Sequence, residues 1–266
     1  MEKFSMELAL IAQLAGAEII KIQESFSVED FKIKGDGSPV TMADLRAQEI
    51  IQSALSKVSP EIPLVSEEGN SGTPGTSGFC FLVDPLDGTK EFIRGNGMYT
   101  VNIALMQRKE NLRWKPVLGV VHAPRFGITW IGGDDVQPTK QNQVSIEKIS
   151  VRGSGEIPII LGSVSHSSPK DQAFAQAIGK HVFEGVGSSM KICRVADGTA
   201  DLAPRFGTTS CWDTAAAHAV LNAAGGNLVG PDGEELDYDI TEEVLNPWFL
   251  ATSGGKWVDL WIDYQD

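Results

Sequence analysis

Apolar residues recur at helical spacing over roughly residues 3 to 25, where Leu8, Ile11, Ala12, Ala15 and Ile19 share one face, and this pattern predicts a long amphipathic helix. A second helix is predicted from about Met42 to Lys57. The period then changes. Leu64-Val65-Ser66 and Phe81-Leu82-Val83 are short apolar runs that read as strands, and each ends on acidic residues: Glu67 and Glu68 after the first, Asp84 after the second. Between them, Gly69 to Gly78 is rich in Gly, Ser and Thr and reads as a loop. Tyr99 to Met106, Val117 to His122 and Gly127 to Ile131 follow as strands, with turns predicted at Ala123-Pro124-Arg125 and at Gly132-Gly133. Consecutive strands of this kind predict an antiparallel sheet.

Val151 to Pro158 contains Gly153, Gly155 and Pro158 and is the best candidate boundary, dividing the chain into an α+β half (1–152) and an α/β half (153–266). Beyond it, strands and helices are expected to alternate over Ile159 to Ser163, Lys170 to Ile178, Met190 to Asp197 and Asp213 to Ala224, and this alternation implies some parallel pairing. Asp232 to Glu243 is acidic and reads as a solvated turn and loop.

The densest chemistry lies in Asp84-Pro85-Leu86-Asp87-Gly88-Thr89-Lys90-Glu91-Phe92. Proline lacks the N–H that a central strand requires, so the strand is expected to stop at Asp84-Pro85. Gly88 permits a tight turn, and Thr89 is expected to cap a short helix. Two carboxylates three residues apart are thereby presented at a strand end, and hard cations such as Mg²⁺ take oxygen ligands of this kind. Further acids stand in comparable positions. Asp44 falls in the first turn of the second helix, and Asp213, in Ser210-Cys211-Trp212-Asp213-Thr214, opens another. Capping explains each of these singly; together they supply the separate carboxylates that a cluster of oxygen ligands needs.

With these motifs the chain resembles the inositol monophosphatase superfamily of Mg²⁺-dependent, lithium-sensitive phosphatases. The resemblance is carried by V-T-x-A-D (Val40 to Asp44), the Ser66-Glu67-Glu68 strand end, D-P-L-D-G-T-K-E-F, G-S-S-x-K (Gly187 to Lys191) and W-D-T-A-A (Trp212 to Ala216). Inositol phosphatases usually read D-G-T-T-N where this chain has D-G-T-K-E, and this moves the resemblance toward the 3′(2′),5′-bisphosphate nucleotidases. It implies an α+β fold, the layered α-β-α-β-α sandwich of the inositol monophosphatase/fructose-1,6-bisphosphatase type. By motif, Glu67, Asp84, the Leu86 carbonyl, Asp87 and Asp213 are expected to hold two or three Mg²⁺ ions. Thr89, bonded to Asp44, is expected to orient the attacking water, with Glu67 contributing to catalysis, and Glu68 is read as facing away. The Gly88 and Thr89 amides are expected to receive the phosphate. Beyond the residues around the phosphate (Glu67, Leu86, Asp87 and Asp213), Ser163, His166, Gly187 and Lys191 are expected on the nucleotide side; a cap, a loop residue and a surface charge are the alternatives for Ser188, His166 and Lys191. His122, His181 and His218 have no ligand spacing and are read as structural.

A net charge of −13 repels polyanions, which argues against polymeric nucleic acid as a partner and leaves a small phosphorylated nucleotide that bound cations make acceptable. Cys80, Cys193 and Cys211 are odd in number and lack C-x-x-C spacing, so they predict neither a disulfide framework nor a zinc site. Small buried hydrophobes describe all three, an oxidisable thiol beside Asp213 being the alternative for Cys211. Met1-Glu2-Lys3-Phe4 does not open a signal peptide, and Gln13 and Glu18 interrupt the most apolar N-terminal stretch, so no transmembrane segment is expected. A reducing cytoplasm is the simplest location; attachment at the inner face of a membrane and the oligomeric state are left open.

The activity implied is removal of the 3′-phosphate of adenosine 3′,5′-bisphosphate to give AMP and phosphate, with 3′-phosphoadenylyl sulfate as a further substrate, in sulfur metabolism. Its rivals are an inositol monophosphatase or broad sugar-phosphate phosphatase and, from another class, a noncatalytic metal- and phosphate-binding regulator.

Overall fold

The computed structural model describes residues 1–25, 31–35, 39–69, 74–153, 157–165, 168–241 and 244–265. The N-terminal periodicity becomes α1 (Glu2–Ser25), followed by a small hairpin of β1 (Lys32–Ile33) and β2 (Pro39–Val40) and by α2 (Met42–Val58). Thr41 caps α2 in a capping box with Asp44, so the acid of V-T-x-A-D is held by the turn that starts the helix.

A seven-stranded sheet runs in chain order through β3 (Leu64–Ser66), β4 (Phe79–Asp87), β5 (Thr100–Arg108), β6 (Trp114–Ala123), β7 (Ile128–Gly133), β8 (Val136–Gln141) and β9 (Ile146–Lys148). All its pairings are antiparallel except β3 with β4. Strand alternation sends Phe81, Val83, Val101, Ile103 and Leu105 to one face, against α1 and α2. It sends Cys80, Leu82, Ala104 and Met106 to the other, in one cluster with residues of α5 (Met190–Ala196) and α6 (Cys211–Ala223).

The second sheet has the order β11-β10-β12-β14-β13, built from β10 (Ile159–Ser163), β11 (Val182–Val186), β12 (Leu202–Arg205), β13 (Asn227–Val229) and β14 (Phe249–Thr252). β10 pairs in parallel with β11 and β12, and β14 runs antiparallel to its neighbours. Its inner face shares the cluster around α5 and α6, while Ile160, Leu202 and Leu250 pack outward with residues of α4 (Pro169–Ala177) and α7 (Gly255–Gln265), including Phe174 and Trp261. The layers are therefore helix pair, sheet, helix pair, sheet, helix pair, as the resemblance implies. α3 (Thr89–Arg94) is a short helix at the end of β4.

Several local expectations change. Gly132-Gly133 is not a turn, since β7 runs through Gly133 and the chain reverses at Asp134-Asp135, where Asp135 has φ 57°. Asp232 to Glu243 is only partly a solvated loop: Tyr238 is buried and bridges to Trp114, and Asp237 pairs with Lys109 and Arg113. Residues 70–73, 154–156 and 242–243, on which part of these expectations falls, lie outside the described residues. The three cysteines are free and buried. Burial pushes the Cys211 thiol up to about 12, so the oxidisable alternative loses its chemical basis. His122 and His218 are buried in hydrogen-bonded positions, with Thr129 and Tyr238 respectively. Among the described residues, no helix is long and apolar enough to cross a membrane.

Candidate active site

β4 does not stop at Pro85. Asp84 pairs with Asn102 and Asp87 with Thr100, so three steps on β4 face two on β5, and the extra residue is accommodated as a bulge. Proline is tolerated at such a point because the ladder bond it cannot make is already interrupted. The bulge lets Asp84 and Asp87 both serve one cleft, and the Leu86 N–H donates to Asp84 Oδ1 at 2.9 Å. Gly88, with φ 96°, then turns the chain into α3; it is the N-cap, and Thr89, expected as the cap, is the first helical residue.

Asp213 arrives from the opposite side, in the first turn of α6, where its carboxylate accepts the Ser210 N–H at 2.8 Å. One carboxylate oxygen from each of Asp84, Asp87 and Asp213 lies within 4.8 Å of the others. Burial, then repulsion from Glu67, Asp87 and Asp213, pushes the Asp84 carboxyl well above the usual range. Asp213 is raised likewise, by burial and then by Asp87. Asp87 is pushed up to about 6 by burial, against the opposing effects of Lys191 and the Ser189 N–H. Three clustered acids in this state, offering only oxygen, are the donor set that a hard cation completes.

Glu67 follows β3, its N–H bonded to the Val83 carbonyl at 3.2 Å, and it lines the same cleft. The carboxylate expected to hold metal is engaged instead by the Lys34 ammonium, at 2.8 Å. Glu68 does not face away. Its side chain is 7% exposed and it shares Lys34 with Glu67.

Asp44 accepts three hydrogen bonds. The Thr41 N–H and hydroxyl reach Oδ2 at 2.7 and 2.6 Å, and the Thr89 hydroxyl reaches Oδ1 at 3.1 Å. Burial raises the Asp44 pKa and these bonds oppose the rise. Asp44 is thus both Thr41's partner in the capping box and the partner of Thr89.

The other wall of this cleft, about 590 Å³ in volume, includes Ser163, Ser188, Lys191, Arg205 and Ser210. Lys191 is the second residue of α5, not a surface charge: its Nζ turns back to the carbonyls of Ser188 (2.7 Å) and Val186 (3.3 Å), and burial pushes its pKa down to about 8. Ser188 is not the cap; Ser189 occupies that position, and Ser188 has φ 49°. Gly187 has a packing reason to be glycine, since a Cβ there would lie 2.5 Å from the Met98 carbonyl oxygen and 2.8 Å from the Glu91 side chain. His166 lies outside the described residues.

Residues 2–254 match the inositol monophosphatase family. The chain belongs to that family. It is 39% identical over 248 residues to 3′(2′),5′-bisphosphate nucleotidase CysQ of Escherichia coli (strain K12), covering 92% of this chain and 98% of that protein. The crystal structure of CysQ from Bacteroides thetaiotaomicron, a bacterial member of the inositol monophosphatase family, superposes with a TM-score of 0.83 at 32% identity, over 96% of this chain and 99% of that one. The extragenic suppressor protein SuhB of Bartonella henselae shares the fold at 22% identity, with a TM-score of 0.77 and 98% of both chains covered. Enzymes of the inositol monophosphatase family are metal-dependent, typically on Mg²⁺, and the oxygen cluster described above fits such an ion.

Within the family frame, three features of the cleft were not read from the sequence. Lys34 directly follows the two-residue strand β1, a pairing too short to leave a pattern. Arg205 ends β12, is 7% exposed and donates from Nη2 to the Thr208 carbonyl at 3.0 Å; a charge closing the apolar run Leu202-Ala203-Pro204 was the available signal. Glu91 is 4% exposed and accepts a hydrogen bond from the Ser165 hydroxyl.

Proposed function

We propose that this chain is a Mg²⁺-dependent 3′(2′),5′-bisphosphate nucleotidase that converts adenosine 3′,5′-bisphosphate to AMP and inorganic phosphate and also accepts 3′-phosphoadenylyl sulfate. The observation that carries the reading is the convergence of Asp84, Asp87 and Asp213 within 4.8 Å beside the Thr89–Asp44 hydrogen bond, in a cleft that also holds Lys191 and Arg205. The near full-length likeness to proteins named as this nucleotidase supports the substrate class.

Glu67, Asp84, the Leu86 carbonyl, Asp87 and Asp213 hold two or three Mg²⁺ ions in this reading. The ions supply charge neutralisation to the phosphoryl group and lower the pKa of water. Asp44 takes the Thr89 proton into a hydrogen bond, which leaves the Thr89 oxygen to accept from the attacking water and set its line of approach. Amides at Gly88 and Thr89 receive the phosphate. Ser163, Gly187 and Lys191 are assigned to the nucleotide side, and His166 by its motif position, Gly187 acting by letting the backbone come close. The half before residue 153 thus brings most of the acids, and the half after it brings Asp213 and the nucleotide side. Reaction in a reducing cytoplasm agrees with the three unpaired cysteines.

Phosphorus NMR of adenosine 3′,5′-bisphosphate turnover tests the reading. The expected products are phosphate and adenosine 5′-phosphate, formed with Mg²⁺ and not with excess chelator. Adenosine 3′-phosphate as the product, or no product from a folded protein, would overturn it.

A further inference from the structure

Strand β5 carries two polar side chains, Thr100 and Asn102, that are fully buried in an otherwise apolar run. Both lie on the strand face next to the β4 bulge, since Asn102 is the cross-strand partner of Asp84 and Thr100 that of Asp87. Asn102 Nδ2 donates to Asp87 Oδ2 at 3.3 Å, and the Ser189 backbone N–H donates to the same oxygen at 2.6 Å. The Ser189 hydroxyl donates to Asn102 Oδ1 at 2.8 Å, and the Thr100 and Ser189 hydroxyl oxygens are 2.9 Å apart.

The proton directions in this unit follow from its ends. An ionised Asp87 only accepts, so Asn102 must present its NH₂ there; the flipped amide would set two acceptors against each other. Asn102 Oδ1 then faces Ser189, whose hydroxyl must donate to it, and Thr100 must donate to Ser189. The order Thr100 to Ser189 to Asn102 to Asp87 is one-way and ends on a single carboxylate oxygen. The other oxygen of Asp87 is left for the cleft.

We infer that Asn102, aligned by Ser189, is a positioning residue that fixes the orientation of Asp87 and so sets the cation affinity of the site. The unit also joins the two sheets, because Asn102 belongs to the first while Ser189 follows β11 of the second, 102 residues along the chain from Asp87. Groups that orient a metal ligand typically change metal affinity by about 10- to 100-fold when removed. The inference rests on the reading of Asp87 as a metal ligand.

The test is a calorimetric Mg²⁺ titration of the full-length, metal-free protein. Asn102→Leu, close in volume, removes the side-chain donor while the Ser189 N–H remains; the expected loss of affinity is about tenfold. Ser189→Ala keeps the N–H but frees the Asn102 amide, and a several-fold loss is expected. The double variant should match Asn102→Leu alone, because the hydroxyl acts through the amide. Wild-type affinity in a folded Asn102→Leu would overturn the inference, as would a Ser189→Ala effect that adds in full. If Asn102→Leu does not fold, unchanged affinity in Ser189→Ala overturns it. Asp87→Asn run alongside separates the two levels: lost binding there with unchanged binding in the other variants removes only the positioning role, whereas unchanged binding in Asp87→Asn removes the ligand role itself.

Discussion

Thr89 donates to Asp44 across 45 residues of sequence, at 3.1 Å, and thereby ties the start of α3 to the start of α2. Asp44 is fixed by Thr41 on its other oxygen, so it cannot swing away, and the Thr89 hydroxyl is held with its proton spent. Removing either member should have the same consequence. Thr89→Ala and Asp44→Asn are each expected to lower kcat by about 10²- to 10³-fold, the range of a positioned proton-transfer group, with Mg²⁺ affinity nearly intact. The double variant should lose little more than either single one, because residues acting as a unit are not additive. Fully additive losses in steady-state kinetics would mean that the two residues act separately.

Replacement of a ligand should behave differently. Asp87→Asn keeps the shape but removes one negative charge from the cluster, so Mg²⁺ binding measured by calorimetry should weaken by an order of magnitude or more while the metal-free protein stays folded. Lithium should inhibit the wild type at concentrations where sodium at equal ionic strength does not, as the family resemblance implies.

Lys191 connects substrate choice to pH. Burial brings its pKa down to about 8, so its ammonium is present below that value and lost as pH rises through it. If it recognises the 5′-phosphate, KM for adenosine 3′,5′-bisphosphate should rise above pH 8 in the wild type and stay flatter in Lys191→Arg, whose charge persists. Lys191→Ala should cost about tenfold to hundredfold in kcat/KM for the bisphosphate, the equivalent of roughly 1.5–3 kcal/mol for a charged hydrogen bond. Adenosine 3′-phosphate, lacking that group, should barely respond. An unchanged ratio between these substrates would remove Lys191 from 5′-phosphate recognition.

Gly187 offers a stability measurement. A methyl group there meets the Met98 carbonyl at 2.5 Å, so the segment before α5 must move back. Gly187→Ala is expected to destabilise by about 1–3 kcal/mol, the usual range for overpacking, seen as a lower Tm. A Tm equal to the wild type would show that the segment yields without cost.

Much of the fold was legible because local pattern and tertiary role coincide. α1, α2 and the β5–β7 strands obey clean periodicities, and the motif acids sit at strand ends and helix starts, where sequence signals are strongest. The misreadings share a cause in tertiary context. Pro85 stops an ordinary central strand, but β4 continues through it because the bulge removes the demand for its N–H. Glu68 looked free to face solvent until Lys34, 34 residues earlier, came back to hold it. The unit of Asn102 and Ser189 was invisible for the same reason, since neither residue departs from its local pattern in a way that names its partner.

The most direct measurement is kcat/KM for adenosine 3′,5′-bisphosphate against inositol 1-phosphate at saturating Mg²⁺, with phosphate release as the readout. A bisphosphate preference of at least about a hundredfold is expected, since inositol 1-phosphate offers nothing for the nucleotide side of the cleft and the loss corresponds to roughly one or two charged hydrogen bonds. Equal or greater efficiency with inositol 1-phosphate would contradict the nucleotidase reading.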